Sequence, residues 1–303
     1  MTRGASESDG SDSPEPGSAS RPLRSGPCQI WGVLNVTPDS FSDGGDNLDP
    51  GSAVAFAERM LADGADVIDV GGESSRPAGG TYGDGAAHVS ADEEAERVLP
   101  VVARLARELR ARVSIDTVKG EVAKRALGSG ATIVNDVSGG EDPELLRAVA
   151  AAGAELVLMH NRGRGEVTGE NTRYGDVARD VREELLRCVA RAIEAGVRRE
   201  RIWLDPGIGF AKTARESLEL ILRTPELVET GFPVLVGSSR KSFVAELAPD
   251  ASGERPDPRH RLGGTAATVT LAVLGGARAV RVHDVAPMRQ AVRLAEAARE
   301  ARP

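Results

Sequence analysis

The stretch TIVNDVSGGEDPELLRAVAAAGAELVLMH, Thr132 to His160, holds one complete strand–helix–strand unit. Its first run, TIVND, is short, β-branched and continuous rather than alternating, as a parallel strand covered on both faces requires. PELLRAVAAAG follows as a helix closed by Gly153, and ELVLMH supplies the next strand. Each strand delivers a polar group at its end, Asn135 in the first and His160 in the second.

The same order recurs along the chain. Further apolar runs are IWGVLN (30–35), DVIDV (66–70), RVSID (112–116), RIWLD (201–205), PVLVG (233–237) and RAVRVH (278–283). Between them lie helix-like segments. GSAVAFAERMLADG has its apolar residues at helical spacing, and SADEEAERVLPVVARLARELR opens with Ser90 and Glu93 as a capping box. YGDVARDVREELLRCVARAIEAG ends in Gly196, a C′ residue. GTAATVTLAVLGG and PMRQAVRLAEAARE complete the series.

Eight strand–helix units in about 275 residues match a (β/α)8 TIM barrel. A doubly wound open sheet is the competing architecture, but it serves its ligand from a few strand ends at a switch point. Here nearly every strand ends in a polar or charged group: Asn35, the 73–76 region, Asp116, Asn135, His160, Asp205, Arg240 with Lys241, and Arg281 with His283. Only the C-terminal mouth of a closed barrel collects all of them, so an α/β barrel is expected.

The most elaborate strand end is WGVLNVTPDSFSDGG (31–45). An apolar run gives way to Asn35, Thr37, Asp39, Ser40, Ser42 and Asp43, with Phe41 among them. A hairpin turn needs only two residues such as Asn-Gly. The surplus reads as one wall of a site. Asn35 and Asp43 could coordinate Mg²⁺, which takes oxygen ligands and completes its shell with phosphate and water. Phe41 could cover an apolar second substrate.

Asp116, Asn135 and Asp205 each follow directly on an apolar run. One Asp there is commonly a helix N-cap or turn residue. Three such groups converging on one mouth would suit a flat heterocycle carrying an amino group and ring N–H donors. GSSRKSF (237–243) places Arg240 and Lys241 beside Ser242 after the seventh strand, where anion sites are frequent in such barrels, although a solvated surface pair is an open alternative. In VRVHD, Arg281 and His283 are two apart and share a face; Arg offers a fixed fork for phosphate oxygens. ESSRP adds Arg76 on a Gly-rich loop. The mouth is therefore expected to combine a polar floor with a cationic side of Arg76, Lys241, Arg281 and His283. No G-x-x-x-x-G-K-[ST] segment occurs, so nucleoside triphosphate use is not indicated. His88 and His160 lack zinc-ligand spacing.

The 303 residues are 40% hydrophobic and 28% charged, an ordinary balance for a globular chain, with only 3% aromatics, so the core rests on Ala, Val, Leu and Ile. A formal charge of −8 argues against a nucleic-acid binder. No apolar run approaches the roughly 20 residues of a membrane span. Cys28 and Cys188 stand far apart, as reduced thiols of a cytoplasmic protein do. Residues 1–25, rich in Ser, Gly, Pro and acid, are expected to be a disordered tail without a secretory signal; residues 26–303 are read as a single domain.

In these motifs the chain resembles the dihydropteroate synthase family, the folate-pathway enzymes that sulfonamides inhibit. GVLNVTPDSFSDGG, GADVIDVGGESSRP, SIDT, IVNDVSGG, LMHNRG, DPGIGFAKT, GSSRKSF and VRVHD all stand in the family's order. The resemblance implies condensation of 6-hydroxymethyl-7,8-dihydropterin diphosphate with p-aminobenzoate, giving dihydropteroate and pyrophosphate. It implies that Asp116, Asn135, Asp205 and Lys241 hold the pterin. Arg281, His283 and Asn35, with Mg²⁺ and Asp43, would hold the diphosphate. Phe41, Ser75, Arg76, Pro77 and Ser242 would form the p-aminobenzoate pocket. A homodimer is typical of the family.

Two departures stand out. Residue 75 is Ser where Thr is usual, and AGGTYGDGAAHVSADEE after Pro77 is longer and richer in Gly than usual. The alternatives are a pterin-binding barrel that transfers a methyl group from methyltetrahydrofolate to a corrinoid protein, and a silent barrel that only binds a partner. The first has no use for a diphosphate side, and the second is weakened because every expected site residue is present.

Overall fold

The computed structural model describes residues 26–37, 50–73, 89–162 and 170–301. Its strands are β1 (Gln29–Asn35), β2 (Val67–Gly71), β3 (Val113–Asp116), β4 (Ile133–Asp136), β5 (Glu155–Met159), β6 (Ile202–Asp205), β7 (Leu235–Val236) and β8 (Ala279–Val282). They form one parallel sheet in the order β6-β5-β4-β3-β2-β1-β8-β7, and a parallel bridge from Leu204 to Val234 closes the ring. Each strand overlaps the apolar run read for it. The (β/α)8 barrel is the observed fold. The acidic tail lies outside the described residues.

The helices around it are α1 (Pro50–Ala62), α2 (Ala91–Glu108), α3 (Gly120–Gly128), α4 (Pro143–Ala152), α5 (Val177–Glu194), α6 (Ala214–Leu222), α7 (Thr224–Val228), α8 (Ser242–Leu247), α9 (Leu262–Leu274) and α10 (Val285–Glu300). Gly196 ends the α5 unit at φ 96°, as a C′ residue should. At the start of α2, Ser90 Oγ accepts from Glu93 N at 3.2 Å, but the Glu93 carboxylate pairs forward with Arg97. Only half of the expected capping box forms there. A complete box sits at Thr213 and Glu216, opening α6. No helix among the described residues is long and apolar enough to cross a membrane.

Strand parity then sorts the side chains. Leu34, Ile68, Ile115, Val134, Leu156 and Leu204 fill the layer between strands and helices. Trp31, Val67, Ile133, Val157, Trp203, Leu235 and Ala279 cluster separately as the barrel's filling, with the two indoles edge to face at 5.5 Å. Because side chains alternate along a strand, the next inward positions toward the mouth are two residues on. They are Val33, Asp69, Asn135, Met159, Asp205, Gly237 and Arg281. An apolar plug thus stands directly beneath a charged layer.

Candidate active site

Arg281 organises the charged layer. Its Nε donates to Asp69 Oδ2 at 2.5 Å and its Nη2 to Asp116 Oδ2 at 2.7 Å. Asn135 Nδ2 donates to the same Asp69 oxygen at 3.1 Å. The other oxygens, Asp69 Oδ1 and Asn135 Oδ1, are buried with no hydrogen-bond partner among the described residues. Leaving such an acceptor unsatisfied costs about 1–3 kcal/mol, so both are set to receive donors from a ligand. At Gly71, a Cβ would stand 3.6 Å from Asp116 Cβ and 3.7 Å from Asn35 Oδ1. Asn35 and Asp116 therefore border the same point of the mouth.

Asp205 closes the floor on the far side. Its Oδ1 accepts from Gly207 N at 2.7 Å. Lys241 Nζ donates to the Ile208 carbonyl and lies 4.6 Å from the centre of the Phe210 ring. Ser242, the next residue, opens α8 half-buried. His283 is oriented by Ser239, whose Oγ accepts the His283 backbone N–H at 3.2 Å and contacts its Nδ1 at 3.1 Å.

Burial dominates the electrostatics of this layer. It pushes the Asp116 carboxyl up to about 7 against the opposing pull of Arg281, with Asp69 adding to the rise. It raises Asp205 too, opposed by Lys241 and the Gly207 N–H. Burial brings the Lys241 ammonium down to about 8 despite Asp205, with Arg281 pushing the same way. Arg281 is buried as well, but Asp69 and Asp116 hold it firmly charged.

The structure brings together Asn35, Asp116, Asn135, Asp205, Lys241, Ser242, Arg281 and His283 at the C-terminal ends of their strands. It corrects three expectations. Arg240 does not join Lys241 in the mouth: at φ 60° it turns back and grips Asp284 through Nε at 2.9 Å and Nη2 at 2.5 Å. His160, one residue past inward-facing Met159, points to the helix layer and meets Glu184 of α5 at 2.9 Å. Arg281, expected as a free member of the cationic side, is itself paired with two carboxylates, Asp69 and Asp116. Phe41, Asp43, Ser75, Arg76, Pro77 and His88 lie outside the described residues.

Asp69 was not singled out by sequence. It lies inside DVIDV, where nothing marks it off from Asp66 at the start of the same run. Its only signal is parity with Val67, whose inward direction the fold alone supplies.

A closed barrel whose mouth presents buried acceptors, a half-buried lysine and a two-carboxylate arginine defines an enzyme of the pterin-binding kind. The model of the family described as "Pterin binding enzyme" matches residues 31–283, and the chain belongs to that family, among its dihydropteroate synthases. It is 48% identical to the dihydropteroate synthase of Mycobacterium leprae over 86% of this chain and 89% of that one. Against that of Synechocystis sp. the identity is 45%, over 88% and 89%. A solved dihydropteroate synthase of Xanthomonas albilineans with 4-aminobenzoic acid superposes with a TM-score of 0.81 at 39% identity, covering 91% of this chain and 94% of the other.

Proposed function

We infer that the chain condenses 6-hydroxymethyl-7,8-dihydropterin diphosphate with p-aminobenzoate, yielding 7,8-dihydropteroate and pyrophosphate for folate biosynthesis. Its relatives carry that activity in their names. The observation that carries the reading is the pair of buried oxygens Asp69 Oδ1 and Asn135 Oδ1, which have no hydrogen-bond partner among the described residues, in the same inward layer as Asp205 and Arg281. A reduced pterin edge offers an amino group and ring N–H donors to such acceptors. Lys241 supplies the complementary donor from above Phe210.

The reaction breaks the bond between the pterin's exocyclic carbon and the diphosphate oxygen. Arg281 and His283 stand on one face of the barrel's eighth unit and stabilise the charge developing on the departing pyrophosphate. The electron-rich dihydropterin shares the positive charge left on carbon, and ionised Asp116 supports it. The path is thus dissociative, SN1-like. The arylamine attacks as a neutral nucleophile and releases its proton afterwards, so no strong general base is required.

Magnesium is proposed as the cofactor. Among the described residues no group of three His, Cys, Asp or Glu side chains could hold a metal. The residues fit a hard cation that keeps phosphate oxygens and water and asks the protein for only one or two oxygens. Asn35, at the mouth beside Asp116, is one such donor, and Asp43 is proposed as the second. When bound, the metal would offset charge on the diphosphate. Phe41, Ser75, Arg76 and Pro77, with Ser242, are proposed to receive p-aminobenzoate. A homodimer is also proposed, supported by the exposed Leu222, Leu247 and Leu262 on α6, α8 and α9. The cytoplasm is proposed as its compartment on the strength of free Cys28 and Cys188.

The test follows labelled p-aminobenzoate into product in the presence of pterin diphosphate and Mg²⁺. Label appearing in dihydropteroate supports the reading. Methyl loss from methyltetrahydrofolate to a corrinoid acceptor, with no label incorporated, would replace it.

A further inference from the structure

The turn between β6 and α6, residues 206–213, carries the Ile208 carbonyl and the Phe210 ring that hold Lys241, and it is bent against backbone preference. Gly207 and Gly209 take φ 66° and 79°, open to glycine. Ala211 takes φ 48°, a left-handed conformation that a residue with a Cβ adopts only where its surroundings enforce it. Two consecutive carbonyls supply that enforcement. Phe210 O accepts from Lys212 Nζ at 2.8 Å, and Ala211 O accepts from Tyr174 OH at 3.0 Å.

Both donors belong to one network around buried Lys212 and His160. Lys212 Nζ also lies 2.9 Å from His160 Nδ1, and His160 Nε2 lies 2.9 Å from Glu184 Oε2. Burial, with the neighbouring Lys212 ammonium, draws His160 down to about 4, so the ring is neutral. It therefore accepts at Nδ1 and donates at Nε2. Glu184 takes Arg162 as well, and the Arg162 guanidinium stacks on Tyr174 at 4.0 Å. The turn rests directly on this network: a Cβ on Gly207 would come within 1.9 Å of the His160 carbonyl oxygen and 3.3 Å of Lys212 Nζ. A lysine buried against a neutral ring and a carbonyl is costly, and nothing in the reaction derived above uses it.

We propose that Lys212 and Tyr174 are positioning residues for Lys241: by holding the carbonyls of Phe210 and Ala211 they fix the turn that aims the Lys241 ammonium at the pterin. This rests on the function inferred above. The test compares Lys212→Met, Lys212→Gln and Tyr174→Phe in the full chain, reading melting temperature together with KM and kcat for the pterin diphosphate. Lys212→Met removes the donors and should raise that KM about tenfold with kcat within about threefold. Lys212→Gln keeps two N–H donors and should stay within about threefold of wild type. Tyr174→Phe should raise KM about threefold, and adding it to Lys212→Met should cost no more than Lys212→Met alone.

A folded Lys212→Met protein with wild-type KM, or equal losses in the Met and Gln variants, overturns the proposal. Should Lys212→Met fail to fold, Tyr174→Phe decides, and a wild-type KM there overturns it. A wild-type chain that binds pterin without turnover would refute the functional reading. The same comparison is then read on the pterin dissociation constant by calorimetry, where a weakened Met and an intact Gln variant support positioning and equal values overturn it.

Discussion

The barrel buries a carboxylate near each end of its interior and treats the two differently. Near the N-terminal ends of the strands, Glu155 takes Arg112 at 2.9 Å on one oxygen and the Trp203 indole N–H at 2.8 Å on the other, with Arg201 at 3.8 Å. Near the C-terminal ends, Asp69 receives Arg281 and Asn135 on one oxygen and nothing from the described residues on the other. The closed set at the bottom turns buried charge into a fixed part of the fold. The open set at the top leaves hydrogen-bonding capacity unused by the protein, and a ligand that satisfies it recovers a cost the fold has already met.

Removing the top's organising charge should do the most damage. Arg281→Met strands Asp69 and Asp116 and removes the group proposed to stabilise the leaving pyrophosphate. Steady-state assays should show kcat/KM lower by about a thousandfold, and urea titration a stability loss of about 3 kcal/mol. Next, Lys241→Ala and Asp205→Asn should each weaken pterin binding by about a hundredfold in calorimetry while melting within a few degrees of wild type. A variant of either that unfolded would assign that residue to the fold instead.

The pH profile should come third in size. In the proposed reaction, pterin capture uses ionised Asp116 and protonated Lys241. Hence kcat/KM should rise through about pH 7 and fall through about 8, a narrow bell whose acid limb disappears in Asp116→Asn. The sign for stability is opposite on the acid side. Asp116 holds its proton more tightly folded than unfolded, so its contribution is present below the usual carboxylate range and is lost as pH rises through about 7. The smallest effect on activity should come from Glu155→Gln at the bottom. It should leave kcat/KM within about twofold while costing about 2 kcal/mol in urea unfolding. A large activity loss there would erase the contrast between the two ends.

Much of this was legible in the chain, for physical reasons that also set the limit. Strands covered on both faces read as continuous apolar runs, so all eight could be located before their pairing was known. Asp116, Asn135 and Asp205 stood out because each interrupts such a run at its end. Asp69 did not, since an acid within a strand reveals its role only through the direction its neighbours face. Arg240 and Lys241 are adjacent and chemically alike, and the positive φ that turns Arg240 to Asp284 has no signature in an Arg. The His160–Lys212–Tyr174 network joins three separate parts of the chain, so no local spacing could announce it.

The most direct measurement is pyrophosphate release from the pterin diphosphate with Mg²⁺, with and without p-aminobenzoate. The open mouth predicts release that tracks dihydropteroate formation and is blocked by a sulfonamide. Tight pterin binding with no release under either condition would contradict it.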